Sequence, residues 1–86
     1  MTKVTIRYWA AAKEAAGMPE ESLEAETLAD ALHAAVALRS PDSRLRDVLA
    51  RSSFLIDAVP AGRVAPETIA LKDGAVIEVL PPFAGG

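Results

Sequence analysis

Lys3-Val4-Thr5-Ile6-Arg7-Tyr8-Trp9 alternates apolar and polar residues around a β-branched centre. That period of two places Val4, Ile6 and Tyr8 on one face and Lys3, Thr5, Arg7 and Trp9 on the other, as a half-buried strand requires. Working outward, Ala10–Ala16 is a run of strong helix formers stopped by Gly17, and Met18-Pro19 prevents its continuation. Glu21–Ala25 fits a short second strand with Leu23 inward. Thr27 is a good N-cap, with Asp30 three residues on in a capping-box position. Behind it Leu28, Ala31, Leu32, Ala35, Val36 and Leu38 recur at helical spacing, predicting the main helix over 28–39, ended by Ser40-Pro41.

Ser43 is placed to cap a shorter helix with Leu45, Val48 and Leu49 as its buried stripe. Phe54–Val59 is nearly continuously apolar and predicts a third, central strand. Pro60-Ala61-Gly62 predicts a turn, Val64 a short edge segment and Pro66-Glu67-Thr68 another turn. Lys72-Asp73-Gly74 is a tight turn into the last strand, Ala75–Leu80, with Ile77 and Val79 opposed to Val76, Glu78 and Leu80. The order predicts an α+β roll, one sheet wrapped on one main helix, as a single domain over residues 1–86.

Composition narrows the chemistry. The chain has 86 residues, 51% of them hydrophobic and 24% charged, enough apolar content for a small core. Eighteen alanines and only four aromatics (Tyr8, Trp9, Phe54 and Phe83) mean that Val, Leu and Ile must build that core. Cysteine is absent and His33 is the single histidine, which excludes disulfides, thiolate chemistry and multi-histidine metal centres. A net charge of −3 argues against a phosphate-backbone binder. No stretch approaches the ~20 apolar residues of a membrane span, and the charged start lacks a signal-peptide core, so a cytoplasmic protein is expected.

Catalytic candidates are few. His33 within the main helix reads as a packing or partly exposed residue, Ser52-Ser53 as a loop feature, and Asp73 as a turn residue. Gly17, Gly62 and Gly74 stand isolated, so there is no glycine-rich phosphate loop.

The distinctive segment is Leu80-Pro81-Pro82-Phe83-Ala84-Gly85-Gly86. A strand runs into two prolines that favour an extended path, then one aromatic, then three residues with almost no side chain. The expectation is an extended tail over 81–86 whose thin tip, ending in the Gly86 carboxylate, can enter a narrow tunnel in a second protein. Frayed tails also end in glycine; continuity with the last strand through a proline-stiffened connector argues for function.

Together with Val4-Thr5-Ile6-Arg7-Tyr8, Lys13-Glu14-Ala15-Ala16-Gly17, Thr27–Leu32, Leu71-Lys72-Asp73-Gly74 and Val76-Ile77-Glu78-Val79, that ending resembles the MoaD/ThiS family of ubiquitin-like sulfur carriers, most closely its MoaD branch, the small subunits of molybdopterin synthase. Two departures are Pro60-Ala61-Gly62, where the family often has an asparagine-containing turn, and Ala75, where an acidic residue is usual.

The resemblance implies a β-grasp (ubiquitin-like) fold. It implies that Gly86 is adenylated by a ubiquitin-activating-type, MoeB-like adenylyltransferase using ATP, and that sulfur then displaces AMP to leave a thiocarboxylate. The carrier itself binds no cofactor, and the catalytic side chains belong to a MoaE-like large subunit in a heterotetramer. There sulfur passes to cyclic pyranopterin monophosphate in molybdenum cofactor biosynthesis. Gly85 is implied as the thin neck, with Ala84, Phe83, Pro82 and Pro81 as partner contacts; Phe83 packing back on its own domain is the other reading. An exposed apolar sheet face is the expected docking surface, with Phe54, Trp9 and Arg7 as candidates. The alternatives are a carrier for thiamine thiazole or cysteine synthesis, a ubiquitin-like protein modifier, and an interaction module with an idle tail.

Overall fold

The computed structural model describes residues 2–82; Gly86, Gly85, Ala84 and Phe83 lie outside the described residues. The alternating segment forms β1 (Lys3–Tyr8), with Val4, Ile6 and Tyr8 buried as the period of two requires. Helix α1 (Ala10–Ala16) ends at Gly17, whose φ of 80° is the left-handed cap conformation, its N–H bonding Lys13 O at 2.9 Å. Strand β2 (Glu20–Glu24) runs antiparallel to β1, with Leu23 inward.

Thr27 caps α2 (Leu28–Ala37), its Oγ1 accepting from Asp30 N at 3.1 Å. The helix buries Leu28, Ala29, Ala31 and Ala35 but stops two residues short of expectation, leaving Leu38 65% exposed instead of in the apolar stripe. The next residue, Arg39, folds its guanidinium back onto Ala35 O at 2.7 Å, satisfying a carbonyl of the last turn. Ser43 Oγ accepts from Leu45 N at 3.2 Å at the start of α3 (Leu45–Arg51), whose Leu45 and Leu49 are buried.

The Phe54–Val59 run is not one strand. It is a hairpin of β3 (Ser53–Ile56) and β4 (Val59–Pro60) closed by Asp57 and Ala58. Both turn residues have positive φ, 50° and 69°, as a two-residue type I′ connection demands. Asp57 locks the turn against the sheet: its N–H bonds Val76 O at 2.9 Å and its Oδ1 accepts from Val76 N at 3.0 Å. Pro60 thus belongs to β4, not to a turn, and Val64 lies outside any strand. Ala58 sits where glycine is favoured, so Ala58→Gly is expected to stabilise the protein by about 0.5–1 kcal/mol in denaturant unfolding. A loss of stability would show that the alanine is unstrained there.

Pro66–Thr68 forms a short 3-10 turn, and Gly74 (φ 88°) closes the turn before β5 (Val76–Leu80). Asp73 does more than turn the chain, since its Oδ1 accepts from Lys3 N at 2.8 Å and pins the start of β1. The sheet order is β2-β1-β5-β3-β4, with β1 and β5 parallel and the other pairs antiparallel. The inner faces of β1 and β5 share one core with the buried faces of all three helices. Ile6, Leu28, Leu45 and Ile77 are among its fully buried side chains, each contributing roughly 1.5–3 kcal/mol of transfer free energy. Small Ala12, Ala16, Ala31 and Ala35 fill the rest, which lets helices and sheet approach closely with so few aromatics. This mixed sheet curled over α2 is the expected α+β, β-grasp roll. Its edges resist pairing: β2 presents Glu20 and Glu24, while β4 is two residues long and carries Pro60.

Candidate functional site: the end of the last strand and the outer sheet face

Strand β5 holds its ladder to Leu80, which pairs with Ser53, and Pro81 then leaves the sheet. Of the expected partner-contact residues, Pro81 is half-buried and Pro82 exposed. The parallel partner β1 ends beside it, Tyr8 opposite Val79, so Trp9 stands at the end of the sheet from which Pro81 departs.

One register row crosses the whole outer face: Glu20, Arg7, Glu78, Leu55 and Pro60. Trp9, 44% exposed, is held over this row from two sides. Its Nε1 donates to Glu78 Oε1 at 3.2 Å, and the Arg7 guanidinium lies 5.4 Å from its ring centroid. Arg7 also approaches Glu20 at 3.8 Å, an exposed pair that contributes at most about 1 kcal/mol. Trp9 is therefore oriented rather than loose. Half-buried Val76, Leu55 and Leu80 supply the apolar ground around it. The outer face is thus aromatic and charged as much as apolar.

Arg7 and Trp9 take the places expected of them, and Phe54 does not. It pairs with Val79, a core residue, so its ring points inward and lines a groove with α2 and α3. Glu78 is the residue sequence reading missed; its position opposite Arg7 was visible only once the parallel β1–β5 register was known. Asp73 and Glu78, close in sequence, serve separate partners, the Lys3 backbone and the Trp9 indole. Ser52 Oγ donates to Val48 O at 2.7 Å at the end of α3, and His33 lies exposed on α2. Among the described residues no group of three or more His, Cys, Asp or Glu could hold a metal ion, and no helix is long and apolar enough to cross a membrane.

Behind this face, a charged cluster fixes β1 to both neighbouring helices. Tyr8, 2% exposed, donates its hydroxyl to Glu21 Oε2, and Glu21 is paired with Arg39 at 2.6 Å. Burial first, then the Glu21 hydrogen bond and charge, push the Tyr8 phenol far above the ordinary tyrosine range, with Arg39 opposing. A phenol raised in the folded state stabilises the protein fully below the unfolded value near 10, and that stability is lost as pH rises above it. Tyr8 is the one tyrosine of the chain, so the pH-dependent change in absorbance at 295 nm reports its ionisation alone. We expect no tyrosinate at pH 10–11 in the folded protein, and an alkaline loss of stability that Tyr8→Phe diminishes; a normal titration near pH 10 would contradict the burial.

No curated protein sequence matches the chain. Among solved structures, small archaeal modifier protein 1 from Methanosarcina acetivorans superposes with a TM-score of 0.83 at 27% identity, over 100% of this chain and 98% of that one. Subunit 1 or 2 in a complex of the molybdopterin-converting factor subunits from Helicobacter pylori gives 0.68 at 24%, over 99% and 100%. A putative molybdopterin converting factor subunit 1 from Pyrococcus furiosus gives 0.72 at 20%, over 96% and 100%. The sequence profile of the ThiS family matches residues 6–86, from the middle of β1 through the terminal glycines. The chain belongs to the ThiS family, the ubiquitin-like sulfur carriers.

Proposed function

We propose that this protein carries sulfur on its C-terminal residue, as the small subunit of a molybdopterin synthase. In the first step an oxygen of the Gly86 carboxylate attacks the α-phosphate of ATP on a separate, ubiquitin-activating-type enzyme. Pyrophosphate leaves, and a poor electrophile becomes an acyl-adenylate with a good leaving group. A sulfur donor then attacks the acyl carbon and expels AMP, leaving a thiocarboxylate. The loaded tail enters a large subunit, whose side chains catalyse sulfur transfer to cyclic pyranopterin monophosphate. Gly86 bears the sulfur, Gly85 passes the narrow entrance, and Ala84, Phe83, Pro82 and Pro81 contact the partner.

The observation that carries this reading is the family match running unbroken through Gly85-Gly86. The likeness to a molybdopterin-converting factor complex supports the choice of partner. Full chain incubated with an adenylyltransferase of this type, ATP and a sulfur donor should gain the mass of one sulfur for one oxygen on the peptide ending at Gly86. An unmodified peptide beside a loaded control carrier would overturn the reading.

The likeness to a small archaeal modifier protein favours a second reading, conjugation to lysines. Both readings use the same activated glycine and differ in the nucleophile, sulfur or a lysine amine. Lysine-linked Gly86 peptides in digested cell extract would support the modifier reading. Loss of molybdoenzyme activity on deleting the gene would support the carrier.

A further inference from the structure

On the side of the sheet opposite Trp9, α2, α3 and β3 enclose an open groove of about 560 Å³. Its floor is apolar, from Leu32, Val36, Leu49 and Phe54, and exposed Arg46 and His33 stand on its rim. At Ser52, Phe54 and Pro66, which line both, it meets a second hollow of about 550 Å³ lined by Val64 and Ile69, with exposed Arg63 at its margin. Nothing in the adenylation or transfer chemistry uses either. Charge sets the two hollows apart from the rest of the molecule. The chain carries 12 Asp and Glu against 9 Lys and Arg, yet among the described residues no carboxylate lines either hollow. Asp47, beside Arg46 in sequence, lines a separate depression with Ser40 and Pro41. The ion pairs among the described residues are Arg7–Glu20 and Arg39–Glu21, so Arg46 and Arg63 meet no carboxylate there. An apolar floor flanked by uncompensated guanidinium groups, on an acidic protein, is complementary to an apolar segment that brings carboxylates of its own.

We propose that this double groove docks an acidic amphipathic helix of a second protein. Leu32 and Val36 of α2 and Leu49 of α3 form two apolar walls with a trough between them, the setting in which a helix seats residues spaced i, i+3 and i+4. Ala37 and Ala50, exposed and short, also line the trough and let a helix backbone come near. The ten residues of α2 rise about 15 Å, so a partner helix of about three turns covers the floor. Its carboxylates pair with Arg46 and Arg63 at the rim. The contact leaves the Trp9 face uncovered. It does not depend on the sulfur-carrier reading, whose mass assay addresses Gly86 alone.

The test uses a displayed library of random peptides of about 15 residues, long enough for three to four helical turns. The full chain is the bait, and its Ala50→Glu variant serves for counter-selection. Ala50 is an exposed groove residue of α3, so its substitution places a negative charge in the trough without entering the core. Only peptides that need the trough survive. We expect the survivors to join Asp or Glu to Leu, Ile or Phe at i, i+3 and i+4 spacing. A synthetic survivor should bind Arg46→Glu at least about tenfold more weakly than the parent, and several-fold more weakly at high salt than at low. Its binding to the isotopically labelled chain should shift backbone amides of α2, α3 and β3. Both variants change exposed residues, so they should keep the parent's melting temperature within about 3 °C. Survivors without an excess of acidic residues, or binding indifferent to Arg46→Glu, would overturn the proposal. Shifts centred on Trp9 and Arg7 would do so too, and so would a library that leaves no survivors.

Discussion

Arg39→Leu is expected to lower the unfolding free energy by about 3–5 kcal/mol, the range for removing one partner of a buried ion pair. The substitution keeps most of the apolar volume and removes the charge. Arg39 and Glu21 side chains are only 10% and 12% exposed, so the Glu21 carboxylate would keep just the Tyr8 hydroxyl. Two backbone acceptors are orphaned as well, Ala16 O at the end of α1, now 3.2 Å from Arg39 Nε, and Ala35 O in α2. The guanidinium also lies 5.5 Å from the Tyr8 ring centroid, so one side chain joins β1, β2, α1 and α2. A domain this size loses roughly 4–8 °C of Tm per kcal/mol, so the melting temperature should fall by more than about 12 °C. Glu21→Leu should be similarly harmful, and the double variant should lose much less than the sum of the two, because neither charge is then stranded. A loss under about 1 kcal/mol for Arg39→Leu would mean that the pair behaves as a solvated surface contact. The clamp is not fully satisfied, since Arg39 Nη2 is buried without a partner; that lowers the net worth of the pair without relieving the penalty for breaking it.

This cluster is also what a one-dimensional reading was least able to find. Tyr8 lies on β1, Glu21 on β2 and Arg39 just past the end of α2, and nothing in their spacing marks them as neighbours. Local signals fared better where a backbone requirement dictates the residue: Gly17 after α1, Thr27 before α2, Lys72-Asp73-Gly74 before β5. The apolar run Phe54–Val59 misled because its turn lacks the usual Asn-Gly signature, Ala58 taking a left-handed conformation that alanine rarely adopts. With the hairpin unrecognised, the inward direction of Phe54 was out of reach as well, since facing follows from pairing with Val79. Arg7 and Trp9 were legible because strict alternation in β1 fixes their face. Glu78, which orients Trp9, was not: a parallel pairing between the first and last strands leaves no local trace.

Deleting Gly86 is expected to reduce sulfur loading by about 10²-fold or more while leaving the fold untouched. The deletion does not remove a carboxylate; it moves one back by about 3.3–3.6 Å, the reach of a single extended residue. In-line attack on a bound nucleotide tolerates little displacement, and 1 Å of misplacement alone can lose about 10²-fold in rate. Stability should not change, because the last ladder pair, Leu80 with Ser53, lies six residues upstream and the core draws on β5 only through Ile77 and Val79. The pairing of unchanged Tm with lost loading distinguishes a reactive terminus from a structural one. Gly85→Leu provides the complementary test, keeping the chain length and the carboxylate but thickening the neck just before it. If the tip must pass a narrow entrance, this variant should load poorly as well, and Gly85→Ala should fall between it and the parent. Undiminished loading of Gly85→Leu would leave Gly86 as the reactive residue but remove the case for a sterically narrow site. Undiminished loading of the deletion variant would show that the carboxylate of Gly85 is activated equally well, and would remove the requirement for a carboxylate at position 86.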